Sequence, residues 1–239
     1  MTLTVGSLFA GIGGLESGLE LTGGFKTIWQ VEIDPFARAV LEKHWPDTPR
    51  FTDVRDITAT LVSRPDVICG GFPCQDISSA NTASDRLGLA GEKSGLWSEY
   101  ARIVHDLRPR WVIVENSPRW RDWVPDVRRD LWGIGYASLP IRVRAADVGA
   151  LHQRPRVFVL AHTDRDGKPL RAIHAEASRL QALPVAHGYW RHTPPGTFRV
   201  ADGLPEGMDR ARNRTLGNAV SPEVARWVGQ RILNARTAQ

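Results

Sequence analysis

Residues 3–21 read LTVGSLFAGIGGLESGLEL, and the fold class turns on them. Leu3 to Phe9 has the apolar run of a buried strand, which breaks at Ala10-Gly11-Ile12-Gly13-Gly14. Leu15, Gly18, Leu19 and Leu21 then supply a short apolar helical face. A strand, a glycine-rich turn and a helix in that order expose backbone N–H groups at a helix N-terminus, which favours a nucleotide-like or carboxylate-bearing ligand. A second strand, Thr27 to Val31, ends at Glu32, where a carboxylate in this kind of fold bonds ribose hydroxyls. A nucleoside cofactor is therefore expected. The dinucleotide fingerprint G-x-G-x-x-G fails, because its third glycine position holds Glu16, and this counts against a nicotinamide or flavin enzyme.

The same rhythm continues outward. Pro35 opens a helix to about Lys43, Val54 to Ile57 reads as the end of a short strand, and Asp66 to Gly70 reads as the next strand. That strand leads into Gly71-Phe72-Pro73-Cys74-Gln75, so a thiol stands where an α/β sheet keeps its chemistry. Residues 76–95 are too polar and small to pack a core and read as a lid-like loop, followed by a helix from Gly95 to Leu107. Trp111 to Val114 is a buried strand ending in Glu115-Asn116, on the same rim as Cys74. Asp122 to Trp132 reads as a helix, and Tyr136 to Arg144 with Val157 to Ala161 as an antiparallel pair at the sheet's end. From Asp164 to Arg214 no long apolar period is visible, and the stretch reads as loop-like. A last helix follows Ser221-Pro222-Glu223.

Composition bounds the function. The chain has 239 residues, 42% hydrophobic and 24% charged, enough for one well-buried domain. No apolar stretch reaches the roughly 20 residues of a membrane span, and the N-terminus lacks a signal core, so a cytoplasmic location is expected. Two cysteines, Cys69 and Cys74, make neither a disulfide framework nor a zinc site, and His44, His105 and His162 lack ligand spacing, so no metal is expected. Charge is uneven: residues 1–140 hold 15 Lys and Arg against 18 Asp and Glu, whereas residues 141–239 hold 16 against 8. All the later cations but Lys168 are arginines, which suit phosphate and base edges, so a polyanionic partner is favoured over a merely solvated surface.

Five pieces, Phe9 to Gly14, Gly71 to Gln75, Glu115-Asn116, Arg154-x-Arg156 and Gly217 to Val220, occur in the order of the motifs of DNA (cytosine-5)-methyltransferases, which the chain resembles over residues 1–163 and 214–239. The resemblance implies a Rossmann-like class I fold dependent on S-adenosylmethionine: a mostly parallel seven-stranded sheet, helices on both faces and an antiparallel edge strand. It implies that Cys74, stiffened by Pro73, adds to carbon 6 of a flipped-out cytosine in double-stranded DNA. Glu115 would protonate or hydrogen-bond nitrogen 3, Asn116 would follow as in the family, Arg156 would reach O2, and Arg154 the catalytic loop or a phosphate. Phe9, Gly11, Ile12, Gly13 and Gly14 would line the methionine and adenosine. Glu32 would hold the ribose, Ile33 one adenine face, Asp56 and Ile57 the edge and other face, and Asn218 and Val220 would close the site. Gln75 and Ser78 would touch DNA, with Lys93 where an arginine is commoner. His152 stands where the family commonly has a glutamine, and Ser117 where it has an apolar residue.

By the same resemblance residues 1–163 form the catalytic core, 164–213 a shortened target-recognition segment, and 214–239 the helix that completes the core. Arg171, Arg179, Arg191 and Arg199 are its expected groove or phosphate contacts. So short a segment implies a short or degenerate target, relaxed specificity, or a specificity partner on an otherwise monomeric enzyme in a bacterial or phage-infected cell. A tRNA cytosine methyltransferase and a non-catalytic DNA-binding homologue remain as alternatives, and Gln75 fits the DNA enzymes better.

Overall fold

The N-terminal strand, glycine turn and helix are present as β1 (Leu3–Leu8) and α1 (Gly14–Glu20). The computed structural model describes residues 1–73, 95–149, 153–180 and 219–237. After α1 come β2 (Phe25–Val31), α2 (Pro35–His44), β3 (Arg50–Phe51), β4 (Val67–Gly70), α3 (Leu96–Leu107), β5 (Trp111–Asn116) and α4 (Val124–Gly133). Then follow β6 (Ala137–Arg144), β7 (Pro155–His162), α5 (Lys168–Leu180) and α6 (Pro222–Thr237).

The strands form one seven-stranded sheet in the order β3-β2-β1-β4-β5-β7-β6. The first five run parallel, and β7 lies antiparallel to both β5 and β6. Parallel strands with helical crossovers bury both faces, which is why their sequences are near-continuous apolar runs. On one face Val5, Cys69, Ile113 and Leu160 pack under α1, α5 and α6; on the other Leu8, Ile68, Val112 and Val159 pack under α3 and α4. Trp29 and Trp111 are core residues, as expected, and Trp227 packs partly buried against the first cluster.

Register puts the functional strand ends side by side. Leu8 pairs with Val31 and Gly70, and Gly70 with Val114, so Phe9, Glu32, Gly71 and Glu115 leave the sheet along one rim. Two expectations about elements fail. Val54–Asp56 is a 3-10 turn rather than a strand end: Val54 and Ile57, three apart, both point inward, a spacing the tight turn permits. The stretch after Asp164 is not all loop-like, because Lys168–Leu180 is a helix whose Leu170, Ile173 and Ala177 are buried in the same core as α6. Leu21, expected on the apolar face of α1, caps the helix and is exposed.

The sixth helix meets α1 unusually closely. A Cβ on Gly14 would lie 2.3 Å from the carbonyl oxygen of Val220, and one on Gly18 would lie 2.3 Å from that of Pro222. Glycine at both positions lets the backbone entering α6 rest directly on α1. That seat brings Ala219 and Val220 to the mouth of the glycine turn.

Candidate active site

Glu115 ends β5 and is 7% exposed. Its Oε1 lies 3.0 Å from Arg156 Nε, at the start of β7, which the antiparallel register carries to the same rim. Its Oε2 lies over Gly71, where a Cβ would approach within 2.6 Å. Gly71 is thus the residue that lets a strand-end carboxylate sit against the chain leading to Cys74. Burial pushes the Glu115 carboxyl up to about 7, with Arg156 and then Arg154 opposing the shift. A carboxyl raised toward neutrality can donate or accept one proton.

Asn116 does structural work beside it. Its Nδ2 donates to the Phe72 carbonyl at 3.0 Å, and its Oδ1 accepts from the Ser117 N–H at 2.7 Å. Phe72 is itself buried, its ring 5.6 Å from that of Trp97 and 6.0 Å from that of Trp123. The chain is therefore held two residues before Cys74 by one hydrogen bond and two aromatic contacts. Pro73 is half-buried at the end of this anchored segment.

The glycine turn is open on its ligand side. Gly11 has φ +57° and nothing within 4 Å of a would-be Cβ, and Phe9 is held at φ 53° with its ring 6.5 Å from that of Tyr100. The Glu32 carboxylate joins the turn to β2, accepting from the Gly11 N–H at 2.7 Å and the Asp34 N–H at 2.8 Å. Arg38 holds the Ile33 carbonyl at 2.8 Å while the Ile33 side chain stands 63% exposed above the rim. Asp56 is exposed nearby in sequence, at the 3-10 turn. An apolar side chain and a carboxylate beside an unobstructed glycine turn suit an adenosyl ligand. A cavity of about 410 Å³ adjoins the turn, lined by Ile12, Gly13, Trp45, Arg154, Ala219 and Val220 among others.

Several expected site residues act otherwise. Ile57 has no exposed surface and packs in the core, and its carbonyl accepts from Arg102 at 2.9 Å, fixing the turn that presents Asp56. Gly14 serves the close approach of Val220 as well as lining the cavity. Arg154, in the left-handed region at φ 25°, donates to the Ala219 carbonyl and so ties the arginine motif to the C-terminal segment. Arg171 stands in the first turn of α5, beyond His162, which pairs with Trp111 at the opposite end of β5 from Glu115. It donates to the Asp166 carbonyl at 2.5 Å and is not brought to the site. Cys74, Gln75, Ser78, Lys93, His152, Arg191, Arg199 and Asn218 lie outside the described residues. Sequence reasoning missed the Glu115–Arg156 pair and the Ala219 contact, both of which join segments dozens of residues apart.

Comparison with known proteins adds the family. The family model of C-5 cytosine-specific DNA methylases matches residues 3–183. The chain is 28% identical over 301 aligned residues to the type II methyltransferase M2.BsuMI of Bacillus subtilis, covering 96% of this chain and 75% of that one. It is 35% identical to the type II methyltransferase M.CviJI of Paramecium bursaria Chlorella virus IL3A over 64% of this chain and 41% of that one. Among solved structures, a proposed DNA modification methyltransferase encoded within an Escherichia coli prophage superposes with a TM-score of 0.55 at 27% identity, over 67% of this chain and 47% of that one. The chain thus spans less than half the length of the last two.

Proposed function

Because the chain belongs to the C-5 cytosine-specific DNA methylase family, we propose that it transfers a methyl group to carbon 5 of cytosine in double-stranded DNA, through a covalent bond from Cys74 to carbon 6. The observation that carries this reading is the Glu115 carboxyl, buried over Gly71 and paired with Arg156 beside the segment that leads to Cys74. S-adenosylmethionine, when bound, would supply an electrophilic methyl group. Phe9, Gly11, Glu32, Ile33 and Asp56 would hold it, with Val220 and Asn218 closing the site.

The protein's own residues prepare the base. An extruded cytosine entering between Cys74 and Glu115 meets a nucleophile at carbon 6 and a proton source at nitrogen 3. As the Cys74 sulfur–carbon 6 bond forms, the carbon 5–carbon 6 π pair moves to carbon 5, and protonated Glu115 neutralises the charge that the ring would otherwise carry. Arg156, paired to Glu115, would reach the cytosine O2. Once carbon 5 carries the new methyl group, loss of its proton to a base, expulsion of the Cys74 thiolate and return of the nitrogen 3 proton to Glu115 would restore the aromatic ring and the free enzyme. Asn116 positions rather than reacts, through its bond to the Phe72 carbonyl. Target choice would belong to the shortened segment 164–213, with Arg191 and Arg199 among its contacts and a specificity partner as the alternative source.

Single-base sequencing for 5-methylcytosine, on DNA from cells expressing the protein, tests the reading. New 5-methylcytosine at a short motif is expected. Unchanged DNA, with cytosine methylation instead on tRNA incubated with purified protein, would contradict it.

A further inference from the structure

We propose that the exposed turn Arg119-Trp120-Arg121 is a DNA-docking surface that holds the strand beside the extruded cytosine, an inference that rests on the function proposed above. The turn follows β5 directly, three residues after Asn116, so it stands on the same rim as Glu115. Every residue from Pro118 to Asp122 is exposed, and Trp120 is 45% exposed. The Arg121 guanidinium lies 5.2 Å from the centre of the Trp120 ring, presenting a flat apolar face and a positive charge as one unit. Such interleaving of arginine and aromatic groups suits a sugar–phosphate strand: the guanidiniums take phosphate oxygens and the ring packs on a sugar or an unstacked base.

The turn is rigidly placed relative to the reaction. Trp123, two residues after it, is fully buried, donates from Nε1 to the Ser117 carbonyl at 3.2 Å, and packs edge-on against Phe72. Phe72 in turn receives the Asn116 hydrogen bond. The surface and the segment leading to Cys74 are therefore braced against one another. Charge supports a polyanion here. Some surface arginines have carboxylates at hand, as Arg55 has Asp53, Arg102 has Glu99 and Arg129 has Asp126, and others, such as Arg64 and Arg165, bond backbone carbonyls. Among the described residues, Arg119 and Arg121 form no ion pair, which leaves both for phosphates.

The molecule carries its own control. Trp132 is 56% exposed with the Arg165 guanidinium 4.6 Å from its ring centre, the same chemistry at the end of α4, next to the start of β6 and the far end of the sheet. The experiment compares the full-length protein, the triple variant Arg119→Ala/Trp120→Ala/Arg121→Ala, and Trp132→Ala. It measures binding of a 24-base-pair cytosine-containing duplex between 50 and 200 mM salt and binding of S-adenosylhomocysteine. A methylation assay on the same DNA completes it.

The triple variant is expected to bind duplex about tenfold more weakly at 100 mM salt, with a log–log salt slope shallower by about 2, close to the loss of two phosphate contacts. KM for DNA should rise with kcat nearly unchanged, while S-adenosylhomocysteine affinity and Tm stay at wild-type values. Trp132→Ala should match wild type throughout. A triple variant with wild-type affinity and salt slope overturns the inference, as does a loss seen for tRNA and not for duplex. If the wild type methylates cytosine while the triple variant is unaltered, the docking surface fails and the proposed function stands. If the turn governs duplex binding but no 5-methylcytosine forms, the surface stands and the proposed function fails.

Discussion

In the proposed reaction Glu115 is the residue on which the chemistry pivots, and its titration has a sign. If the protonated form assists addition at nitrogen 3, kcat should fall as pH rises through about 7, the value to which burial pushes this carboxyl. Glu115→Gln should flatten that limb and lower kcat by roughly 10²- to 10⁴-fold, while S-adenosylhomocysteine still binds. A pH–rate profile of both proteins checks it. Asn116→Ala removes the partner of a buried carbonyl, so kcat should drop about tenfold or more with cofactor affinity unchanged, as single-turnover kinetics would show. A second carboxyl, Glu16, is buried in α1. Burial raises it to about 7, the polar Ser7 and Gln30 side chains offsetting only part of the shift. The folded state therefore holds this proton where the unfolded chain has lost it, and stability falls as pH rises from about 4.5 to about 7. Glu16→Gln should raise Tm at pH 8 by on the order of 5 °C and change it little at pH 4.5, measured by calorimetry. Glu115 was legible as a strand-end acid because the apolar run Trp111 to Val114 stops at it. Its pairing with Arg156 was not, since that depends on an antiparallel register between residues about 40 apart in sequence.

At the level of elements, the seat of α6 on α1 is the feature that joins the chain's end to the cofactor turn. A methyl group at Gly14 must displace the Val220 backbone, so Gly14→Ala should weaken S-adenosylhomocysteine binding about tenfold and lower Tm, in the 1–3 kcal/mol range of overpacking. Gly133 has nothing near a would-be Cβ, and Gly133→Ala should leave both unchanged or raise Tm slightly. Isothermal calorimetry and thermal unfolding of the pair test the packing argument. The glycines themselves were visible in the sequence, but a glycine that admits a neighbouring backbone reads the same as one that admits a ligand. The α5 helix escaped for a different reason. Its inward stripe is Leu170, Ile173 and Ala177, and Ala172 and Ala175 between these positions blur the contrast between the inward face and the rest. The strand end expected at Val54 failed for a local reason: Val54 and Ile57, three apart, both face inward, which a 3-10 turn permits and the two-residue period of an extended chain does not.

Over the whole molecule, most of the architecture followed from strand ends that could be read one by one, because a parallel sheet with helices on both faces must write its strands as apolar runs. The distribution of charge was legible in the same way, but not its placement: Arg171 belongs to the basic half and yet lies at the end of the sheet away from Glu115. What unites the molecule is the convergence on one rim of the glycine turn, the segment leading to Cys74, the Glu115–Arg156 pair and the backbone of Ala219 and Val220. The central claim is that this convergence serves a bond between Cys74 and carbon 6 of an extruded cytosine. Peptide mass spectrometry of the protein incubated with S-adenosylmethionine and duplex DNA carrying 5-fluorocytosine tests it most directly, since the fluorine blocks release after methyl transfer. A stable adduct on the peptide containing Cys74, absent in Cys74→Ser, is predicted; no adduct, or one mapped to the buried Cys69 instead, would contradict it.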